Sequence, residues 1–157
     1  IHQYLDGGSQ EFSLRAGTEN IASIVGMATA LKNNCDMLDK NAAHVNAISQ
    51  IFLSRLNVDY HINGNTDSQL PGLLSIAFDG ASGESLLHLL DLKGICVSTG
   101  SACNSHETQI SHVLTAINLP DNLARGTIRV SLGKDNTSEE AVFLSSSLNH
   151  VILNSQK

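Results

Sequence analysis

Between Ile21 and about Leu56 apolar residues recur every three or four positions: Ile21, Ile24, Val25, Ala28 and Leu31, then Leu38, Ala42, Val45, Ile48 and Phe52. This is the spacing of one long helix, or of two broken near Asn33-Asn34. Thr18 and Asn20 are candidate caps at its start, because short polar side chains accept hydrogen bonds from the unpaired amides of a first turn. Val58 to Ile62 reads as a short strand ended by Asn63-Gly64-Asn65, and Leu73 to Phe78 as a firmer one between Pro71-Gly72 and Asp79-Gly80. Ser82 to Leu92 returns to helical spacing with Leu86, Leu87, Leu89 and Leu90 inward, and Gly94 stops it. Ile95-Cys96-Val97 then predicts a short buried strand, with Cys96 in the core, and Ile110 to Ile117 a further helix. From Thr127 to Leu132 the pattern alternates, which puts Ile128, Val130 and Leu132 on one face and Thr127, Arg129 and Ser131 on the other. Thr137 with Glu140 three residues later forms a capping box for a last helix through Val142, Phe143, Leu148 and Val151. Strands and helices mixed in this order predict a small α/β or α+β sandwich with helices laid against a sheet.

Composition narrows what such a domain does. The 157 residues are 41% hydrophobic without tryptophan, enough for one ordinary core. Charged residues make up 15% and the net charge is −6, so no broad basic surface for nucleic acid or acidic membranes is expected. No stretch approaches the roughly 20 apolar residues that span a bilayer, and Ile1-His2-Gln3-Tyr4 is not a charged leader, so a soluble, cytoplasmic location is expected. Cys35, Cys96 and Cys103 give an odd count without a CxxC pair and read as reduced thiols. The first residue is not methionine and the chain opens directly in Asp6-Gly7-Gly8-Ser9-Gln10, as a piece of something longer does.

Cys103 is the best lead to chemistry. It lies in Val97-Ser98-Thr99-Gly100-Ser101-Ala102-Cys103-Asn104-Ser105-His106, where small neighbours leave room for a substrate, whereas a packed cysteine sits among large apolar side chains. His106 and His112 are near in sequence but read as surface residues, and Arg129 on the polar face of a strand suits a bidentate grip on a carboxylate. Nothing in the chain supplies an obvious electron sink. A metal held by Cys103, His106 and His112 is the runner-up, weakened by a spacing that fits no recurrent zinc pattern and by the want of a fourth ligand.

Five segments carry a resemblance: Gly83-Glu84-Ser85-Leu86-Leu87, Leu90-Asp91-Leu92-Lys93-Gly94-Ile95, Val97-Ser98-Thr99-Gly100-Ser101-Ala102-Cys103, Ser111-His112-Val113-Leu114 and Ile128-Arg129-Val130-Ser131-Leu132-Gly133. In order and spacing they resemble the C-terminal part of cysteine desulfurases of the NifS/IscS type. Upstream, Gly7-Gly8-Ser9-Gln10-Glu11 and Leu14-Arg15-Ala16-Gly17-Thr18-Glu19-Asn20 resemble the family's Gly-Gly-Gln-Glu and Arg-Ser-Gly-Thr segments, with Ala16 in place of serine. The resemblance implies the small C-terminal domain of a fold-type I pyridoxal-phosphate enzyme, with helices on a small mixed or antiparallel sheet and a long helix leading in. Residues 1–20 would be the Gly-rich cofactor and dimer-contact segment closing the large domain, and 21–157 the connecting helix and small domain. The implied enzyme is a homodimer that removes sulfur from L-cysteine, leaves L-alanine, and passes the sulfur to an acceptor such as an iron-sulfur scaffold protein or a carrier for transfer-RNA thiolation. Cys103 would carry the sulfur as a persulfide on a loop that swings between cofactor and acceptor, Arg129 would bind the substrate carboxylate, and Thr18 would reach the cofactor phosphate of the neighbouring subunit.

The family's cofactor lysine stands in a Ser-x-His-Lys segment, which this sequence lacks. Lys32, Lys40, Lys93, Lys134 and Lys157 all fall in other contexts. The expectation is therefore an incomplete enzyme that is inactive alone. A non-catalytic dimerisation or sulfur-relay module and a selenocysteine lyase are the alternatives.

Overall fold

The computed structural model describes residues 2–99 and 110–155, which fall into two compact units, residues 1–38 and 39–157. The first unit begins with a closed loop. A parallel bridge joins Leu5 to Arg15, and Ala16 N–H donates to the Leu5 carbonyl at 3.3 Å. At its tip lies α1 (Gln10–Ser13), a single turn in which Glu11, Phe12 and Ser13 take φ of 51°, 56° and 64°. Side chains with a β-carbon adopt that left-handed region at a cost of about 1–2 kcal/mol each. Next comes α2 (Ile21–Asp36), capped by Asn20, whose Oδ1 accepts from Ser23 N–H at 3.1 Å. Of the two candidate caps, Asn20 therefore makes the bond. No residue of α2 is buried, and its large apolar stripe, Ile21, Ile24, Val25 and Leu31, is 47–63% exposed.

The helical periodicity is interrupted at Met37, before α3 (Leu38–Ser54), rather than at Asn33-Asn34. Those two asparagines stay helical because exposed side chains there need no backbone partner. In the second unit Val45, Ile48 and Phe52 of α3 turn inward. The sheet has three antiparallel strands in the order β1 (His61–Ile62), β2 (Leu73–Ala77) and β3 (Thr127–Ser131). β2 and β3 pair Leu74 with Val130, Ser75 with Arg129, and Ile76 with Ile128. Leu74, Ile76, Ile128 and Val130 form the buried side, and on them pack α3, α4 (Gly83–Asp91) and α7 (Ser138–Ser155) through Phe52, Leu86, Leu90, Leu144 and Leu148. Two short helices, α5 (His112–Ala116) and α6 (Asp121–Arg125), lead into β3.

Three expectations are corrected. Ile95-Cys96-Val97 is not a strand; pairing is confined to a bridge at Ser98, and Cys96 is exposed. Ile95 and Val97 still pack against the core, and the alternation between them turns Cys96 outward. In α4 only Leu86 and Leu90, four apart, are buried among the leucines, while Leu89 is 40% exposed, because a short helix presents one narrow stripe to a sheet. The capping box, by contrast, forms as expected. Glu140 N–H donates to Thr137 Oγ1 at 3.2 Å and Thr137 N–H to Glu140 Oε2 at 2.9 Å.

Candidate functional site

Arg129 is placed by strand alternation. Ile128 and Val130 are drawn into the core, at 0% and 3% exposure, so the residue between them must leave by the other face. Its guanidinium is exposed and makes no hydrogen bond or ion pair among the described residues. Its backbone is occupied. The N–H donates to the Ser98 carbonyl at 2.6 Å, and its carbonyl accepts from Ser98 N–H at 3.1 Å. Ser98 thus stands on the far side of Arg129 from β2 as an antiparallel partner. With both of its backbone groups turned to Ser98, Arg129 faces Ser75 across β2 as the narrow, non-hydrogen-bonded kind of pair.

The residue after Ser98, Thr99, lies against the start of α4. A β-carbon on Gly83, at the start of that helix, would lie 2.7 Å from the Thr127 carbonyl and 3.4 Å from Thr99 Cγ2, so only glycine lets α4 begin this close to β3 and Thr99. Ser82 caps the helix by accepting from Ser85 N–H at 3.3 Å. The Gly83-Glu84-Ser85 motif is therefore a packing device that fixes the segment next to Arg129.

Cys103 and His106 lie outside the described residues. His112 opens α5 and is exposed, with no partner among the described residues; those residues contain no group of three side chains able to hold a metal.

Thr18 belongs to the first unit. Its turn is latched by Arg15, whose Nη1 donates to the Gly17 carbonyl at 3.1 Å and whose Nη2 pairs with Glu19 Oε2 at 2.6 Å. Gly17 takes φ of 108°, which a side chain would strain, and Thr18 follows it exposed. Arg15 is thus engaged in an ion pair within its own turn. Two residues near the Arg129 strand escape the sequence reading: Ser75, its cross-strand partner, which sits in an apolar run with no motif, and Asn63, which bonds Ser75 and Thr127 and whose Asn-Gly context reads only as a turn. The cross-strand register is the signal that reveals them.

The second unit is thus a mixed α/β unit with an exposed arginine, unpaired among the described residues, at the strand edge bridged to Ser98. The comparisons name the family: residues 3–144 match the aminotransferase class-V family, and the chain belongs to it. It is 40% identical over 155 residues to the cysteine desulfurase IscS of Dictyoglomus turgidum, and 40% identical over 139 residues to the cysteine desulfurase NifS of Azotobacter vinelandii. These alignments cover 97% and 87% of this chain but 39% and 35% of the relatives, so the chain spans under two fifths of their length. Among solved structures, a NifS-like protein superposes with a TM-score of 0.81 at 34% identity, over 98% of this chain and 39% of that one.

Proposed function

We propose that this chain is the part of a pyridoxal-phosphate-dependent cysteine desulfurase that bears the sulfur-accepting cysteine and the substrate-carboxylate arginine. The observation that supports it most is the two-bond bridge between Ser98 and Arg129. Four residues lie between Ser98 and Cys103, so the chain allows the thiol to stand at most about 18 Å from the Ser98 bridge. In this reading Arg129 takes both carboxylate oxygens of L-cysteine with its planar fork. The Cys103 thiolate takes the substrate sulfur: a bond forms between the two sulfurs and the carbon-sulfur bond of the substrate breaks. L-cysteine and one thiolate become L-alanine and one persulfide anion, with the former thiol proton carried on the alanine methyl group. The persulfide then serves an acceptor such as an iron-sulfur scaffold or a thiolation carrier, and the whole enzyme is read as a cytoplasmic homodimer.

Bound pyridoxal phosphate supplies the electron withdrawal that the carbon framework needs during this exchange. Thr18, exposed on its latched turn, is suited to donate to the cofactor phosphate. The anchoring amine does not fit any described lysine. Lys32 and Lys134 pair with Asp36 and Asp135, and Lys40 and Lys93 stand exposed. A cofactor lysine, by contrast, works from a desolvated pocket that lowers its pKa. We assign that amine to residues other than these. Among the described residues no helix is long and apolar enough to cross a membrane.

Two measurements test the reading. In the cofactor-loaded enzyme, Cys103→Ser should abolish sulfide release from L-cysteine while the cofactor absorbance stays; full activity in that variant would sink the carrier assignment. The purified 157-residue chain mixed with pyridoxal phosphate should give no borohydride-stable adduct at a single lysine, and a stoichiometric adduct would overturn the assignment of the amine elsewhere.

A further inference from the structure

Asn63 is 5% exposed, and its Oδ1 has no hydrogen-bond partner among the described residues. Its Nδ2 is fully used, donating to Ser75 Oγ at 3.1 Å and to Thr127 Oγ1 at 3.2 Å. The Thr127 hydroxyl proton goes to the Leu123 carbonyl at 2.9 Å, so Thr127 meets the amide as an acceptor and decides which end of Asn63 faces the sheet. To reach Thr127 the amide crosses β2, and Ala77, opposite Thr127, leaves room for it. A buried acceptor without a partner costs about 1–3 kcal/mol, so what the amide accomplishes needs a reason.

The reason is found at Ser75. Its Oγ receives the Asn63 amide proton along the face of the sheet that also carries Thr127 and Arg129, and its own O–H donates to nothing among the described residues. Ser75 is half-buried and directly opposite Arg129. In a narrow antiparallel pair the two β-carbons stand about 4.5–5.5 Å apart on the same face. With one lone pair taken by the Asn63 amide, the hydroxyl proton is left for an acceptor beside the exposed guanidinium.

We propose that Ser75 is a second carboxylate-binding residue beside Arg129, and that Asn63 is the positioning residue that aims its hydroxyl. Arg129 grips the two oxygens in the plane of its fork, and Ser75 donates to one of them from the neighbouring strand. The pair selects an α-amino acid by its carboxylate and gives no purchase to the corresponding amine. That the amino acid is L-cysteine rests on the desulfurase reading; the clamp does not.

The test follows the Arg129 Nε–H resonance of the ¹⁵N-labelled 157-residue chain while L-alanine is added. A saturable shift is expected. Ser75→Ala should weaken the dissociation constant about tenfold, as loss of a hydrogen bond to a charged group does, and Ser75→Thr, which keeps the hydroxyl, should restore most of it. Asn63→Ser should weaken binding less than Ser75→Ala, and thermal melts identify any variant that has lost its fold. Ethylamine, which has no carboxylate, should cause no shift. In the cofactor-loaded enzyme Ser75→Ala should raise KM for L-cysteine about tenfold with kcat held, and leave turnover of cysteamine unmoved. No shift with L-alanine, equal affinity in wild type and Ser75→Ala, or equal loss for L-cysteine and cysteamine overturns the clamp. A wild-type enzyme that releases no sulfide from L-cysteine overturns the desulfurase reading instead, and the alanine titration still decides the clamp.

Discussion

At the scale of single residues, two glycines separate crowding from backbone conformation. A β-carbon on Gly126 would lie 2.0 Å from the Phe78 carbonyl oxygen, although its φ of −88° suits any residue. Gly80 has open space around it but a φ of 69°. Gly126→Ala should therefore cost about 3 kcal/mol, the upper end for overpacking, and Gly80→Ala about 1–2 kcal/mol, the left-handed penalty. Urea unfolding of both variants checks the order, and a larger loss at Gly80 would contradict it. Residue identity is legible where chemistry is local: alternation alone places Arg129 on the polar face, and the Thr137/Glu140 spacing gives the capping box. Asn63 and Ser75 are not, because their significance depends on which strand lies beside which. Cys96 was misplaced, since an apolar neighbourhood in sequence does not say which way a single side chain turns.

At the scale of elements, the capping box of α7 offers a pH-dependent measurement. The side-chain hydrogen bond from Asn136, and then the backbone bond from Thr137, hold the Glu140 carboxyl below its ordinary 4.5. Because the folded value is lowered, the stabilisation is complete above the unfolded value and disappears as pH falls through the folded one. Glu140→Gln should thus melt below wild type at pH 7, and the two should converge well under pH 4.5; a constant gap across that range would refute the linkage. Thr137→Ala should cost about 1 kcal/mol, read from the same melts. Strands β2 and β3 and helix α4 followed from periodicity within a residue or two, while α3 starts a turn later than the Asn33-Asn34 break suggests and α7 runs about a turn past Val151. The segment 95–97 did not, because three apolar residues satisfy a strand pattern whether or not they find a partner. Nor was the left-handed run at Glu11, Phe12 and Ser13 visible, since those residue types give no signal for that conformation.

At the scale of the whole molecule, core and exposed helix should behave differently in solution. α2 buries nothing, whereas Ile48 and Phe52 of α3 and Leu148 of α7 are sealed at 0–1% exposure. Amide exchange in the purified chain should therefore be fast along α2 and slow in α3, α7, β2 and β3, with Phe52→Ala lowering global stability by about 3–5 kcal/mol. Equal protection of α2 and α3 would show that α2 is packed. The bridge at Ser98 has a mechanical consequence too. Arg129 is a fulcrum as well as a hand: its peptide groups pin Ser98, and its guanidinium reaches outward. The two duties reside in separable parts of one residue. Trimming the side chain loosens the hand and leaves the fulcrum standing, while an ester in place of the 129 amide would remove one of the two pinning bonds and leave the hand intact.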